Sequence, residues 1–147
     1  MNAPVRAAVI DASVALKWVF NDEEAIEAAT VMLQRIEQGV LQAHVPDLFA
    51  YEVSNALWAA VRQGRLTHED SVEAVQAFRL LQFIWHPLAT VWDHAFAIAV
   101  QYDRSFYDSV YVALAQHLQV PLFTGDRRLY NVLHGQVEGV HWVGDYH

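Results

Sequence analysis

The sequence predicts an α/β fold, a parallel sheet with helices packed on both of its faces. Three observations predict it. Short apolar runs alternate with longer stretches of 3.6-residue periodicity, as in a chain that passes from each strand to the next through a helix. The first of these runs, VRAAVID, is apolar without the polar alternation of a sheet that has one wet face. Capping residues and glycines stand at the ends of the helical stretches, where such a chain must turn.

Taken in order, VRAAVID is the first strand and is closed by Asp11. SVALKWVF begins a short helix. DEEAIEAATVMLQRIEQG is a longer one, with acids in its first turn and Gly39 after its last, the polarity that the helix dipole favours. QAHVP is a minimal second strand. DLFAYEVSNALWAAVRQG follows as a strong helix, with Asp47 as predicted N-cap and Gly64 as stop. THEDSVEAVQAFRLLQF takes Thr67 as its cap, and IWHPL supplies a third strand. TVWDHAFAIAVQYD and SFYDSVYVALAQHLQ are two further helices, PLFT the fourth strand, DRRLYNVLHG a short helix and GVHWV the fifth strand. No repeat, low-complexity tract or Pro/Gly-rich linker interrupts this order, so residues 1–147 read as a single domain.

With 147 residues, 54% hydrophobic and 18% charged, the chain is long and apolar enough to bury a core. It contains no cysteine, which removes disulfides and thiolate metal sites and suits a reducing compartment. The opening MNAPVRAAVID lacks a basic segment followed by a long apolar run, so no signal peptide is expected. No uncharged apolar stretch reaches the roughly 18 residues that span a bilayer. These features predict a cytoplasmic protein without a membrane segment. The net charge is −8, from seventeen acids against nine Lys plus Arg. That balance opposes phosphate binding through a basic patch, and it raises the alternative that carboxylates are gathered to hold cations.

In parallel sheets, sites form at the carboxyl ends of the strands, and four acids fall there. Asp11 closes the first strand, and Asp126 comes two residues after LFT. Glu52 and Asp108 lie in the early turns of helices running antiparallel to the strands, whose N-terminal ends meet the same edge. Asp108 sits on an apolar arc between Val112 and Ala115, with Tyr111 beyond it, while Ser109, Gln116 and His117 point elsewhere. Glu52 lies among Leu48, Phe49, Ala56 and Ala59, with Ser54, Asn55 and Arg62 on the solvated side. A carboxylate on a core-facing arc is costly unless something compensates it. Each acid alone has a local reading. Asp108 pairs with Ser105 in a capping box, Asp126 caps RRLYNVL, Asp11 caps SVALKW, and Glu52 is a solvated helix residue. Together, from four remote segments, they call for a shared explanation. Crowded carboxylates repel, and one keeps its proton unless a cation neutralises the set. Hard, oxygen-seeking Mg²⁺ or Mn²⁺ is the natural occupant. Such a site suits metal-assisted phosphodiester hydrolysis, in which the metal, not Lys or Arg, meets the scissile phosphate.

VIDASVALKW, YEVSNALW, YDSVYVALA and LFTGDRRL, in this order and spacing, resemble the PIN-domain family, and more narrowly the VapC toxins of type II toxin–antitoxin modules. Each motif alone is unspecific; the four together are specific and cover nearly the whole chain. The resemblance implies a PIN-like three-layer fold with a five-stranded parallel sheet flanked by helices. It implies that Asp11, Glu52, Asp108 and Asp126 form a Mg²⁺ or Mn²⁺ site that cleaves RNA, leaving 5′-phosphate and 3′-hydroxyl ends. It also implies a homodimer, and a cognate VapB-type antitoxin whose C-terminal segment blocks the site. Ser13 and Thr124 match polar positions that support the acids in that family, beside a plainer reading as a local cap and a strand-end hydroxyl. Gly125 takes a variable middle position of TGD, so no acid is missing.

Two alternatives compete. A phospho-acceptor receiver domain also gathers acids at this edge of a parallel sheet, but it needs a lysine after a later strand. Lys17, the only lysine, follows the first. A non-catalytic PIN-like scaffold is the other, and the intact acids oppose it. Eight histidines invite a zinc reading, yet no HxH or HxxxH spacing occurs, and His86 and His117 read as surface or boundary residues. Trp18, Trp58, Trp85, Trp92 and Trp142 suit core or dimer packing better than base stacking, with Trp58 and Tyr51 turned toward an interface. Arg127 and Arg128 flank Asp126 and are either contacts to RNA phosphates or solvated helix-start residues; arginine there opposes the helix dipole.

Overall fold

Successive residues of the first strand, β1 (Ala7–Ile10), face opposite sides of the sheet, and both sides are covered. Ala8 and Ile10 pack into one apolar cluster and Val9 into another. The structure, a computed structural model, describes residues 4–20 and 24–147. After β1 come α1 (Ala12–Leu16), α2 (Ile26–Glu37), β2 (Gln42–Pro46), α3 (Leu48–Arg62) and α4 (His68–Leu80). The chain continues through β3 (Ile84–His86), α5 (Trp92–Tyr102), α6 (Phe106–Leu118), β4 (Leu122–Thr124), α7 (Arg127–Leu133) and β5 (Val140–Trp142). The strands pair in parallel in the order β3-β2-β1-β4-β5, with Val9 opposite both His44 and Leu122. The predicted α/β architecture and its five strands are all present.

Two apolar clusters make the three layers. Phe49, Val53 and Leu57 of α3 and Met32 of α2 pack with Ala43, Val45 and Phe123 on one face. Val110, Val112 and Leu114 of α6 and Leu129 and Leu133 of α7 pack with Val9, Leu122 and Val140 on the other. Because β1 is central, its run is apolar throughout, whereas the edge strand β3 leaves Ile84 and Trp85 partly exposed. The chain leaves β1 toward β2 on one side and later returns to β4 on the other. The crevice between the carboxyl ends of β1 and β4 is therefore the topological switch point, where ligands of open α/β sheets bind.

Most predicted helix ends hold. Thr67 Oγ1 accepts the Asp70 amide at 3.1 Å, and Gly39 and Gly64 take φ of +73° and +74°, the left-handed turn that a side chain would strain. Asp47 is a correction. Its backbone is already helical (φ −54°, ψ −30°), so its carboxylate does not turn back to cap α3. Asp22 and Glu23, two of the acids expected in the first turn of the second helix, lie outside the described residues; α2 begins at Ile26 with Glu27 in its first turn. Among the described residues, no helix is long and apolar enough to cross a membrane.

Candidate active site

Asp11 ends β1 and opens α1. Its backbone is extended, and its Oδ1 accepts the Val14 amide at 3.3 Å, so the capping reading is true. The same oxygen accepts from the Ser13 hydroxyl, and Ser13 Oγ in turn accepts the Gly125 amide at 2.8 Å. Thr124, wholly buried at the end of β4, lies 3.4 Å from Ser13 through its hydroxyl and accepts the Asp126 amide at 3.0 Å. Ser13 and Thr124 thus fasten the ends of β1 and β4 to each other. Asp126 caps α7, its Oδ1 accepting the Arg128 amide at 2.9 Å and the Leu129 amide at 3.3 Å.

The other two acids arrive on helices. Ser105 Oγ accepts the Asp108 amide at 3.1 Å, which anchors Asp108 in the first turn of α6. Ser109, expected to point away, is buried; its hydroxyl donates to the Ser105 carbonyl at 2.8 Å, which lets a small polar residue face the interior. Glu52, one turn into α3, accepts the Tyr111 hydroxyl on Oε1 at 2.7 Å. Sequence reasoning placed Tyr111 beyond Asp108 on the apolar arc and gave it no role. The available signal was its hydroxyl, which needs a partner when buried.

The electrostatics link the four acids in a chain. Burial pushes Asp11 up to about 6, with hydrogen bonds from Ser13, Thr124 and Val14 opposing and the Glu52 charge adding to the rise. Glu52 is raised by burial, eased by Tyr111 and raised further by Asp108. Asp108 is raised by burial and by Asp126, with Ser105 and Arg104 opposing. Tyr111 is held protonated, first by burial, then by the charge and hydrogen bond of Glu52, then by Asp11. The fold therefore brings all four predicted acids to one edge, graded from buried Asp11 through half-buried Glu52 and Asp108 to exposed Asp126. They do not form a closed cage: among the described residues, no three His, Cys, Asp or Glu side chains are grouped as a ready metal site. The donor chemistry nonetheless suits a hard divalent cation, since every donor is an oxygen and three of the carboxylates resist ionising together.

Around this edge, several residues are engaged by the protein itself. The Arg127 guanidinium lies 4.0 Å from the centre of the Trp142 ring, and its Nε is 3.4 Å from Glu24. Arg128 is exposed. Lys17 follows β1 in sequence, yet its buried side chain reaches the loop after β4. A Cβ built on Gly125 would stand 2.5 Å from Lys17 Cε and 2.9 Å from the Ser13 carbonyl oxygen, so this middle position of TGD has no room to vary here. His86 is partnered, its Nε2 standing 2.9 Å from His44 Nδ1. Trp142 is buried, Trp18 donates to the Ala29 carbonyl at 2.8 Å, and Trp58 and Trp92 are more than half exposed.

Comparison with known proteins follows the same lines. The sequence profile of the PIN domain matches residues 8–134. The chain is 35% identical to Ribonuclease VapC3 of Pyrobaculum aerophilum over 129 residues, 82% of this chain and 90% of that one. It is 32% identical to Ribonuclease VapC9 of Mycobacterium tuberculosis over 121 residues, 82% of this chain and 87% of that one. Among solved structures, PAE2754 from Pyrobaculum aerophilum superposes with a TM-score of 0.68 at 24% identity, covering 95% of this chain and 84% of its own. VapC20 of Mycobacterium tuberculosis, described as a Sarcin-Ricin loop cleaving toxin, gives 0.61 at 16% identity, covering 86% and 95%. A toxin-antitoxin complex from Klebsiella pneumoniae gives 0.58 at 16% identity, covering 91% and 95%. At these identities the structural likeness speaks for the fold alone.

Proposed function

Because the chain belongs to the PIN-domain family, we propose that it is a Mg²⁺- or Mn²⁺-dependent endoribonuclease, the toxin of a VapBC-type toxin–antitoxin module. The observation that carries this reading is the run of carboxylates at the switch point of the sheet, in which the charge of Glu52 raises Asp11, that of Asp108 raises Glu52 and that of Asp126 raises Asp108. A divalent cation held there supplies Lewis-acid activation of water and of a phosphoryl oxygen. The chain's own residues orient the donors. Asp11 is fixed through Oδ1 by Ser13 and Val14, Glu52 through Oε1 by Tyr111, and Asp126 through Oδ1 by the α7 amides. Arg128, exposed beside Asp126, would be the one to meet an RNA phosphate, since Arg127 is occupied by Trp142 and Glu24.

Two partners belong to the proposal. A groove of about 810 Å³ between α2 and α4, lined by Ile36, Ala77 and Phe78 and by the acids Glu37, Asp70 and Glu73, suits an apolar antitoxin segment flanked by basic residues. A homodimer would cover the stripe of Trp92, Phe96 and Val100 along α5, exposed by 58%, 61% and 69%. Such a complex would work in the cytoplasm. The receiver-domain alternative is not favoured: its sheet order is 2-1-3-4-5, against β3-β2-β1-β4-β5 here.

The test is cleavage of RNA by the wild type and by Asp108→Asn in Mg²⁺, Mn²⁺ and chelator. The wild type should cut only with the cation, and Asp108→Asn should remain folded and inactive. Full activity in the variant would remove the catalytic role of Asp108.

A further inference from the structure

Tyr111 lies one turn beyond Asp108 on α6 and is 3% exposed. Its ring packs in the cluster on the α5–α7 face, whereas α3, which carries Glu52, packs through Phe49, Val53 and Leu57 on the other face. The hydrogen bond from Tyr111 to Glu52 Oε1, at 2.7 Å, therefore joins the two helical layers at the carboxyl end of the sheet.

Phenylalanine would fill nearly the same volume, so packing alone does not ask for the hydroxyl. A buried hydroxyl costs free energy unless it is bonded. Glu52, for its part, is a half-buried side chain with three torsions, and fixing such a chain costs rotamer entropy. A donor from a rigid, buried ring meets that cost before any ligand arrives, and it engages only one of the two carboxylate oxygens.

We propose that Tyr111 is a positioning residue of the cation site, its hydroxyl engaging Glu52 Oε1 so that Oε2 is presented to the cation. This inference rests on the reading of the four acids as a cation site. Tyr111 does not touch the cation and acts through Glu52. Outer partners of this kind typically change metal affinity by about 10- to 100-fold.

The experiment titrates Mn²⁺ alone into the full chain, following free Mn²⁺ by electron paramagnetic resonance, with thermal melts in chelator as a check on folding. Wild type, Tyr111→Phe, Glu52→Gln and the double variant are compared. Tyr111→Phe should weaken Mn²⁺ binding by about tenfold while melting cooperatively. In the Glu52→Gln background the same change should matter by under about twofold, because the route through Glu52 is already gone. A lowered melting midpoint with unchanged Mn²⁺ affinity would mean a purely structural role and overturn the proposal. An equal loss in both backgrounds would overturn it too. If Tyr111→Phe does not fold, Glu52→Asp, which keeps the charge but draws it back from the phenol, carries the same expectation of about tenfold weaker binding, and unchanged affinity there counts against it. Absence of Mn²⁺ binding in the wild type is a separate result that removes the cation reading itself and this inference with it.

Discussion

The Gly125 amide donates to Ser13 Oγ at 2.8 Å, and the Ser13 hydroxyl donates to Asp11, so one serine fastens the loop after β4 to the most buried acid of the edge. Ser13→Ala removes both bonds at once. RNA cleavage should fall by about 10- to 100-fold, as for other outer partners of metal-binding carboxylates. Circular dichroism should be unchanged. Wild-type cleavage by Ser13→Ala would reduce this serine to a local helix cap.

Gly125 is required for space, not for backbone freedom. Its added Cβ would fall 2.5 Å from Lys17 Cε and 2.9 Å from the Ser13 carbonyl oxygen. The lysine stem can bend aside; the backbone carbonyl cannot without moving α1. Gly125→Ala should therefore destabilise the fold by about 1–3 kcal/mol, the range for overpacking a tight site. Urea denaturation measures this, and an unshifted midpoint would contradict the close approach.

Acidity should act on the metal-free protein through Asp11, whose folded pKa of about 6 lies above its ordinary 3.8. Between those values the folded state keeps a proton that the unfolded state has lost. Stability from this group is therefore greatest below 3.8, declines as pH rises to about 6, and is level above. The loss amounts to about 3 kcal/mol. Glu52 and Asp108 are shifted in the same direction and steepen the decline. In chelator, Asp11→Asn should match the wild type near pH 4 and exceed it by up to about 3 kcal/mol at pH 7. A difference that does not vary with pH would contradict the burial of this carboxylate.

Association should depend on α5. Phe96→Asp places a charge in the middle of the exposed Trp92–Phe96–Val100 stripe and should leave a monomer by light scattering, with circular dichroism unchanged because Phe96 is 61% exposed in the single chain. A monomeric wild type would remove the homodimer, and a variant that stays dimeric would move the interface elsewhere.

The sheet, its helices and the four acids were legible because each leaves a one-dimensional mark. Apolar runs give strands, and a carboxylate on an apolar arc, as at Glu52 and Asp108, marks a special position. Three of the four local readings were caps, and these hold: Asp11 and Asp126 cap their helices through their carboxylates and Ser105 caps α6 at the Asp108 amide. Glu52 is the exception, half-buried and bonded to Tyr111 instead of solvated. What the sequence hid depends on distance across the fold. Tyr111 meets Glu52 fifty-nine positions away, and Arg127 meets Trp142 only because β5 returns beside β4. Lys17 looked remote from the fourth strand for the same reason. Asp47 misled because a capping residue was in place but the backbone was already helical.

The central claim is that four carboxylates from distant segments share one cation-binding site. Calorimetric titration of Mn²⁺ into the wild type and into Asp11→Asn, Glu52→Gln, Asp108→Asn and Asp126→Asn tests it most directly. Every substitution should weaken binding by about tenfold or more, and none of the first three should lower the melting midpoint in chelator, since each relieves a carboxylate that burial and its neighbours already oppose. Undiminished Mn²⁺ binding in two or more of the variants would contradict a shared site.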